Sequence, residues 1–129
     1  MWNDIKTDSD IKQLFNYFGN FHDSCIVSIN IRTGLRVDNR LYIEYGSNSI
    51  KIVFQRQNVE NNYIEIEFNN VTEFGQPPII DNLSELFDAR MFFYDDKLYW
   101  GDSESFNVDN KKNYKGLYIS SKDARWRKK

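Results

Sequence analysis

Apolar residues recur with a helical period near the start of the chain. Four of them follow the i, i+3, i+4, i+7 spacing that places side chains on one face of an α-helix: Ile11, Leu14, Phe15 and Phe18. This spacing predicts an amphipathic helix over residues 8–18. The apolar face of such a helix needs a complementary surface, which the rest of the chain must supply.

Between residues 21 and 101 the apolar period changes to two. Alternating apolar and polar residues are typical of a strand with one buried and one solvated face. The pattern is found in five segments: residues 21–32, 41–45, 50–57, 63–68 and 90–100. We therefore predict an antiparallel meander over residues 21–101, with short turns between successive strands.

In the first of these strands, the alternation predicts which side chains are buried. Cys25, Val27, Ile29 and Ile31 share one face, and mostly polar residues share the other. Cys25 is thus expected to be a small buried side chain, because a reactive thiol needs an accessible, stabilised thiolate. As the sole cysteine, it excludes an internal disulfide and any multi-cysteine zinc site.

The segment 90–100 is apolar on both faces, which is typical of strands that are covered on both sides. The N-terminal helix is the one cover that the pattern predicts. Residues 102–115 are expected to form a polar loop, and residues 116–129 a final strand and a basic tail. The predicted fold is α+β and mostly β: a curved antiparallel sheet of about six to seven strands, with the N-terminal amphipathic helix packed on it, in a single domain over residues 1–129.

The composition predicts a cytoplasmic protein without a membrane partner. The chain starts without the basic and apolar regions of a secretory signal. No apolar run approaches the roughly 18 residues that a membrane helix needs. Aromatic residues make up 16% of the chain, so the burial of large rings is expected to drive folding.

Charge is divided unevenly along the chain. Residues 1–110 contain 9 Lys/Arg and 18 Asp/Glu, a net charge of −9, whereas residues 111–129 contain 8 Lys/Arg and one acid, a net charge of +7. Either the basic tail folds back over the acidic body, or an acidic face stays open for a basic partner. The acidic body argues against nucleic acid as a partner, although the tail is basic and contains aromatic residues.

Residues 22–25, His-Asp-Ser-Cys, combine side chains that are used in nucleophilic catalysis. On a strand, however, His22 and Ser24 share one face while Asp23 and Cys25 point the other way, so adjacent side chains cannot meet as nucleophile and base. His22 is also the only histidine, which leaves no second imidazole to share a metal ion. We expect no catalytic residue here: Asp23 is expected to hydrogen-bond at the start of the strand, and His22 to lie near the surface.

No motif in the chain calls for a cofactor or a metal ion. The acids between residues 95 and 109 lack the spacing, the central glycine and the final glutamate of a calcium loop. A phosphate-binding glycine loop and a dinucleotide fingerprint are also missing from the sequence. Carboxylates that pair in space, as in glycosidases, remain an alternative that sequence spacing does not test.

Four segments, taken in order, resemble an uncharacterised family of small bacterial proteins: FGNFHDSCIVSI, VFQRQ, YDDKLYWGD and YISSKDARWR. Members carry a Phe-His-Asp-Ser/Ala element after a short helix, and end with an Ile-Ser-Ala-like element followed by Trp-Arg. Through the Phe-His-Asp element and the overall layout, that family is similar to the immunity proteins of bacterial polymorphic toxin systems, particularly the immunity protein 50 group. The resemblance implies a non-catalytic inhibitor that binds a cognate toxin. It assigns no functional residue, and the role of the matching His22 and Asp23 stays open.

Two functions follow from the residues and the resemblance together. The first is a protein-binding module for a basic protein such as a cognate toxin, with Tyr and Trp as favoured interface anchors. Outward strand register and turns supply six candidate contact residues: Tyr42, Glu44, Glu65, Glu67, Asp95 and Asp96. The alternative is a small-ligand-binding protein or an enzyme, whose site assembles from dispersed acids, tyrosines and His22 in a concave pocket.

Overall fold

The computed structural model describes residues 1–60, 62–78 and 85–129. Residue 61 and residues 79–84, all within the predicted 21–101 meander, lie outside the described residues. The described residues contain one α-helix, α1 (Asp8–Tyr17). The strands are β1 (Asn3–Ile5), β2 (Ser24–Arg32), β3 (Leu35–Val37), β4 (Ile43–Tyr45), β5 (Ser49–Arg56), β6 (Tyr63–Gly75), β7 (Arg90–Tyr94), β8 (Lys97–Gly101) and β9 (Tyr118–Lys128).

Seven of these strands form one open antiparallel sheet with α1 packed on it, which confirms the predicted fold class. The strand order is β2-β5-β6-β9-β8-β7, and β1 pairs with β9. The long strands β6 and β9 lie at the centre, where β9 pairs with β8 through residues 118–121 and with β1 through residues 124–126. Different parts of one edge of β9 thus pair with β8 and β1, and one face of the sheet holds the core.

A capping box starts α1. The Asp10 backbone N–H donates to Thr7 Oγ1 (3.2 Å), and the Thr7 backbone N–H donates to the Asp10 carboxylate (3.0 Å). These bonds satisfy N–H groups that the first turn of a helix leaves without partners. The helix ends at Tyr17, one residue before the predicted end, and the Phe18 N–H still donates to the Leu14 carbonyl (2.9 Å).

Aromatic rings fill the space between α1 and the sheet. Phe18 and Phe21 follow the helix, Phe54 comes from β5, and Trp100 comes from β8; all four are fully buried. Phe21 packs against Phe54 at 5.0 Å between ring centroids and against Trp100 at 5.9 Å, with the rings edge to face. Such contacts add to the large apolar area that each ring removes from water.

The sheet is not a simple 21–101 meander, because β9 lies between β6 and β8. The predicted strand 41–45 is also outside the sheet: β4 pairs with β3 in a separate two-stranded ribbon. The reason is that β2 and β6 already occupy both edges of β5, which is the neighbour that β4 would have joined in a meander. Alternation identifies a strand without identifying its partner.

The predicted burial of Cys25 is wrong, because a β-bulge interrupts the alternation in β2. Ile26 pairs with Phe54, and Ser28 pairs with Val53, so Val27 is an extra residue on its strand. The bulge reverses the parity of the strand. Ile26 and Ile29 therefore both pack against the core, whereas the Cys25 side chain is exposed.

The prediction that segment 90–100 is covered on both faces holds for strand β8, where residues 98–101 are buried. It is wrong for the edge strand β7, where Phe93 is 36% and Tyr94 56% exposed. The second cover comes from the predicted 102–115 loop. Phe106 from this loop is fully buried. Its ring stacks on the Tyr118 ring of β9, with 5.1 Å between the ring centroids. Asp102 holds the loop by accepting hydrogen bonds from the Leu117 N–H (2.8 Å) and from the Tyr114 hydroxyl. The sheet thus carries a second, smaller aromatic cluster on the face opposite the core.

The bulge leaves the Cys25 thiol at the surface of the native protein. We expect its thiol to react with a thiol reagent such as DTNB in the absence of denaturant, at a rate similar to that of an exposed cysteine in a peptide. The measurement is the absorbance time course, with and without denaturant. A thiol that reacts only after unfolding would restore the alternating register and contradict the bulge.

Candidate functional site

The Phe-His-Asp element lies on a turn with left-handed backbone. Positive φ angles occur at Gly19 (59°), Asn20 (56°), Phe21 (62°) and Asp23 (53°). A left-handed phenylalanine is unfavourable, at a cost of about 1–2 kcal/mol. The turn sends the Phe21 ring into the core and leaves the neighbouring His22 side chain 58% exposed.

This turn holds the segment 85–89 against the start of β2. The Leu86 N–H donates to the Ser24 carbonyl (2.6 Å), and the Ser24 N–H donates back to the Leu86 carbonyl (3.3 Å). The Ala89 N–H donates to the Asn20 carbonyl (3.3 Å). Three backbone hydrogen bonds thus fix the segment on both sides of Phe87.

His22 adds a side-chain contact to the same segment. Its Nδ1 lies 2.5 Å from the Phe87 carbonyl oxygen. Because a carbonyl only accepts, Nδ1 carries the hydrogen and donates it. The His22 ring is also near two carboxylates, with Nε2 3.4 Å from Asp23 Oδ2 and Nδ1 3.9 Å from Asp88 Oδ1.

The result of this bonding is a fixed, exposed phenylalanine. Leu86 is buried beneath the segment, whereas Phe87, the next residue, is 66% exposed. The main chain of Phe87 is held at its own carbonyl and on both flanks. Phe87 therefore presents a large apolar side chain from a main chain that is already held in place.

Carboxylates surround Phe87. A hollow of about 170 Å³ is lined by Glu85, Phe87, Asp88, Asp102, Ser103 and Glu104. A larger hollow of about 410 Å³ lies on the other side of Glu85 and contains Asp23, Cys25 and Arg56 among its polar lining. We call the exposed surface formed by Asp23, Glu85, Phe87, Asp88 and Glu104 the Phe87 face.

Within the described ranges, the acids of the Phe87 face form no ion pair with a lysine or an arginine; the one basic side chain within 4 Å of Asp23 or Asp88 is the His22 imidazole. The face therefore keeps its negative charge, and a large apolar side chain lies within it. This arrangement is suited to recognition of a basic surface.

The basic tail neutralises a different part of the chain. Arg125 Nε lies 2.8 Å from Glu67 Oε1, and Arg127 Nη2 lies 2.9 Å from Glu65 Oε1. Each arginine is directly opposite its glutamate in the pairing of the central strands β6 and β9. Lys129 adds a second contact to Glu65 at 3.2 Å. Most of the basic tail forms strand β9, which pairs with β6. On these strands, therefore, the basic tail folds back onto the acidic body, which is one of the two arrangements that the uneven charge allowed.

The carboxylates of Glu65 and Glu67 are thus engaged by cations of the same chain. They point away from the core as their register predicts, yet they are only 5% and 7% exposed. Trp2 covers this ladder of charges, with Arg125 and Arg127 each 4.3 Å from the centroid of its ring. These two acids are placed to stabilise the centre of the sheet, and a contact role for them stays a prediction.

The other four predicted contact residues lie in two further places. Tyr42 and Glu44 belong to the β3–β4 ribbon, where Glu44 pairs with Arg36 at 2.6 Å. Asp95 and Asp96 form the β7–β8 turn, where both have left-handed φ angles. The six residues therefore do not form one surface, and a contact role for these four stays a prediction.

Neither of the two hollows beside Glu85 brings His22 together with tyrosines, and the alternative function stays a prediction. His22 lines neither the 170 Å³ hollow nor the 410 Å³ hollow. In residues 1–60, 62–78 and 85–129, no three His, Cys, Asp or Glu side chains cluster as they would around a metal ion. Its contacts make His22 a positioning residue for the Phe87 segment.

Phe87 was not among the residues predicted from the sequence. Its flanks, Glu85 and Asp88, place an aromatic residue between acids in a short segment without a clear period. That pattern is the only local signal, since the contacts that fix the segment come from residues more than sixty positions earlier.

Comparisons with protein-family models, with curated proteins and with solved structures find no match to this chain. In the part of the chain that the structure describes, no helix is long and apolar enough to span a membrane.

The ion pairs on β6 predict how stability depends on pH. Burial raises the pKa of Glu67, but hydrogen bonds from Asn69 and Arg125 and the charge of Arg125 outweigh it, so the pKa lies below its ordinary value of 4.5. A carboxyl whose pKa is lowered by folding stabilises the protein above its unfolded pKa, and this contribution is lost as the pH falls through the folded pKa. We expect Glu67→Gln to lower the free energy of unfolding near neutral pH by about 1–2 kcal/mol, with a difference that shrinks below pH 4.5.

The matched control is Glu44→Gln, which breaks an exposed Arg–Glu pair. Exposed pairs contribute about 0–1 kcal/mol, so this variant should unfold nearly as the wild type does. Denaturant titrations at several pH values measure both. Equal effects of the two substitutions, or a Glu67→Gln difference that does not change with pH, would contradict the role assigned to the β6 carboxylates.

Proposed function

We propose that this protein is a non-catalytic binding module that recognises a basic protein through the Phe87 face. The observation that carries the proposal is a fixed, 66% exposed phenylalanine set among carboxylates that no lysine or arginine of the described residues neutralises. The resemblance of the chain to immunity proteins of polymorphic toxin systems supports a more specific form of the proposal, in which the partner is a cognate toxin.

An exposed aromatic side chain held by its backbone is a good interface anchor. Aromatic residues dominate binding energy at protein interfaces when a partner pocket excludes water from them. Because Phe87 is already held by Leu86, Ala89 and His22, little main-chain entropy is lost when a partner orders it. The preformed anchor thus favours affinity.

The surrounding acids favour fast and selective association with a basic partner. Asp23, Glu85, Asp88 and Glu104 create a negative field at the face, and such a field attracts a basic partner from a distance and accelerates association at low salt. The two arginines of the tail do not pair with these acids, since they are engaged at β6, on the central strands. An inhibitor of this kind works by covering its target and needs no chemical step.

The proposal is tested with matched variants in two steps: capture of a binding partner, and protection of bacterial growth from that partner. Tagged wild-type chain, Phe87→Ser and Asp4→Asn are used to capture proteins from lysate of the source cells at low and at high NaCl. Asp4→Asn removes one exposed acid on β1, far from the face, and serves as the control. We expect wild type and Asp4→Asn to retain the same basic protein at low salt, and Phe87→Ser to retain at least tenfold less, as expected for loss of an interface anchor.

The captured protein is then produced in a bacterial host with and without the chain. We expect it to arrest growth alone, and wild-type chain but not Phe87→Ser to restore growth. Retention by Phe87→Ser equal to that by wild type would contradict the Phe87 face as the binding site. A captured partner that has no effect on growth would contradict the toxin-inhibitor form of the proposal and leave only the binding module.

A further inference from the structure

The β3–β4 ribbon projects from the end of the sheet as an arm, formed by residues 33–47. In its register Leu35 pairs with Tyr45, Arg36 with Glu44, and Val37 with Ile43. Directly paired residues point to the same side of a ribbon, and successive residues point to opposite sides. The arm therefore has one polar face and one apolar face.

All four side chains of the apolar face are exposed. Leu35 is 52%, Ile43 61%, Val37 62% and Tyr45 79% exposed. Ile31, near the end of β2 and close in sequence to the arm, is also 55% exposed. We call these five residues the arm face.

The arm is ordered by its own bonds. At its base the Gly46 N–H donates to the Gly34 carbonyl (2.7 Å), and Gly34 has a φ of 83° in contact with the Gly46 and Ser47 backbone, where a Cβ would clash. At its tip the Asp38 carboxylate accepts hydrogen bonds from the Arg40 N–H (2.8 Å) and the Tyr42 N–H (3.1 Å).

The side chain of Asn48 joins the base of the arm to the body. The Val71 N–H donates to Asn48 Oδ1 (2.6 Å), and Asn48 Nδ2 donates to the Val71 carbonyl (3.2 Å). Val71 lies at the register shift between β6 and β9. The body thus fixes where the arm starts without covering its apolar face.

A two-stranded ribbon is at best marginally stable in water, and burial of apolar surface contributes about 25 cal/mol per Å². Covering the five large apolar side chains that lie in water would therefore be favourable, and this argues for an occupant of the arm face. We propose that the arm face docks onto the arm face of a second copy of this chain, in a two-fold symmetric dimer.

The charges of the arm favour a second copy over a partner of opposite charge. Arg36 is paired with Glu44 at 2.6 Å, and Arg40 with Asp38 at 3.7 Å, so the arm satisfies its charges internally and none lies on the apolar face. A two-fold interface brings identical patches together, which a flat apolar face tolerates and a patch of one charge does not. The net charge of the whole chain is only −2, so copies repel each other weakly.

The position of the arm keeps the proposed dimer compatible with the proposed function. The arm continues from the Arg32 end of β2, and the Phe87 face lies at its Ser24 end, roughly 26 Å away at 3.3 Å per residue. The dimer would present two Phe87 faces on its outer ends. The dimer does not depend on the proposed function.

The size of the arm face sets the expected affinity of the two copies for each other. Five partly exposed side chains from each copy bury on the order of 1,000 Å² in total, the lower limit for a specific interface. We therefore expect monomer and dimer to exchange, with a dimer fraction that rises with protein concentration.

Sedimentation velocity over a range of concentrations tests the dimer with four proteins: wild type, Val37→Thr/Ile43→Thr, Arg36→Gln and Phe87→Ser. The double variant keeps β-branched side chains, and so strand propensity, while it places hydroxyls on the arm face. Arg36→Gln changes the polar face of the same ribbon. Circular dichroism shows that each variant is folded.

We expect wild type, Arg36→Gln and Phe87→Ser to dimerise with the same concentration dependence. The double variant should dimerise at least tenfold more weakly, since each dimer loses four apolar contacts. Wild type that stays monomeric at every concentration overturns the proposal. So does a double variant that dimerises as wild type does, or an Arg36→Gln variant that is weakened equally.

Discussion

Burial of the Phe21 ring is the constraint on which the functional part of this structure depends. Its ring packs between Phe18, Phe54 and Trp100 at the centre of the core. Full burial of such a side chain contributes about 1.5–3 kcal/mol, enough to offset a left-handed backbone that costs about 1–2 kcal/mol. The chain therefore turns sharply between α1 and β2. The same turn directs His22 outward, to the Phe87 carbonyl.

The Phe-His-Asp element thus has a structural explanation that leads to a functional one. Its phenylalanine anchors the turn, its histidine donates to the Phe87 carbonyl, and Ser24 pairs with Leu86. None of these side chains needs to react with anything. Their common result is that an aromatic residue distant in sequence is held at the surface among acids.

Elements that depend on local pattern were predictable, and those that depend on distant partners were not. The helix near residues 8–18 and the strand that contains residues 63–68 follow from periodicity, because neighbouring side chains decide which face is buried. The bulge at Val27, the placement of β9 between β6 and β8, and the separate β3–β4 ribbon all depend on pairing between remote segments. The same holds for the candidate site. Sequence singled out His22 and Asp23, whereas Phe87 becomes conspicuous only once these residues are seen to hold its segment.

The division of charge shows why net charge alone could not locate the acidic surface. The basic tail and the acidic body have opposite signs, and sequence offered either neutralisation or an open acidic face. The structure contains both: Arg125 and Arg127 neutralise Glu67 and Glu65 across the central strand pair, and the acids around Phe87 keep their charge. Which acids are covered is decided by the register of β9 against β6.

The central claim is that the turn after α1 holds the Phe87 segment in one place before any partner binds. Native-state hydrogen exchange at the backbone amide of Leu86, followed by NMR, tests it most directly. Because this amide donates to the Ser24 carbonyl at 2.6 Å, the account predicts exchange far slower than in an unstructured peptide, as for amides in the sheet. Exchange at the rate of an unstructured peptide would mean that the segment is not held, and would contradict the account.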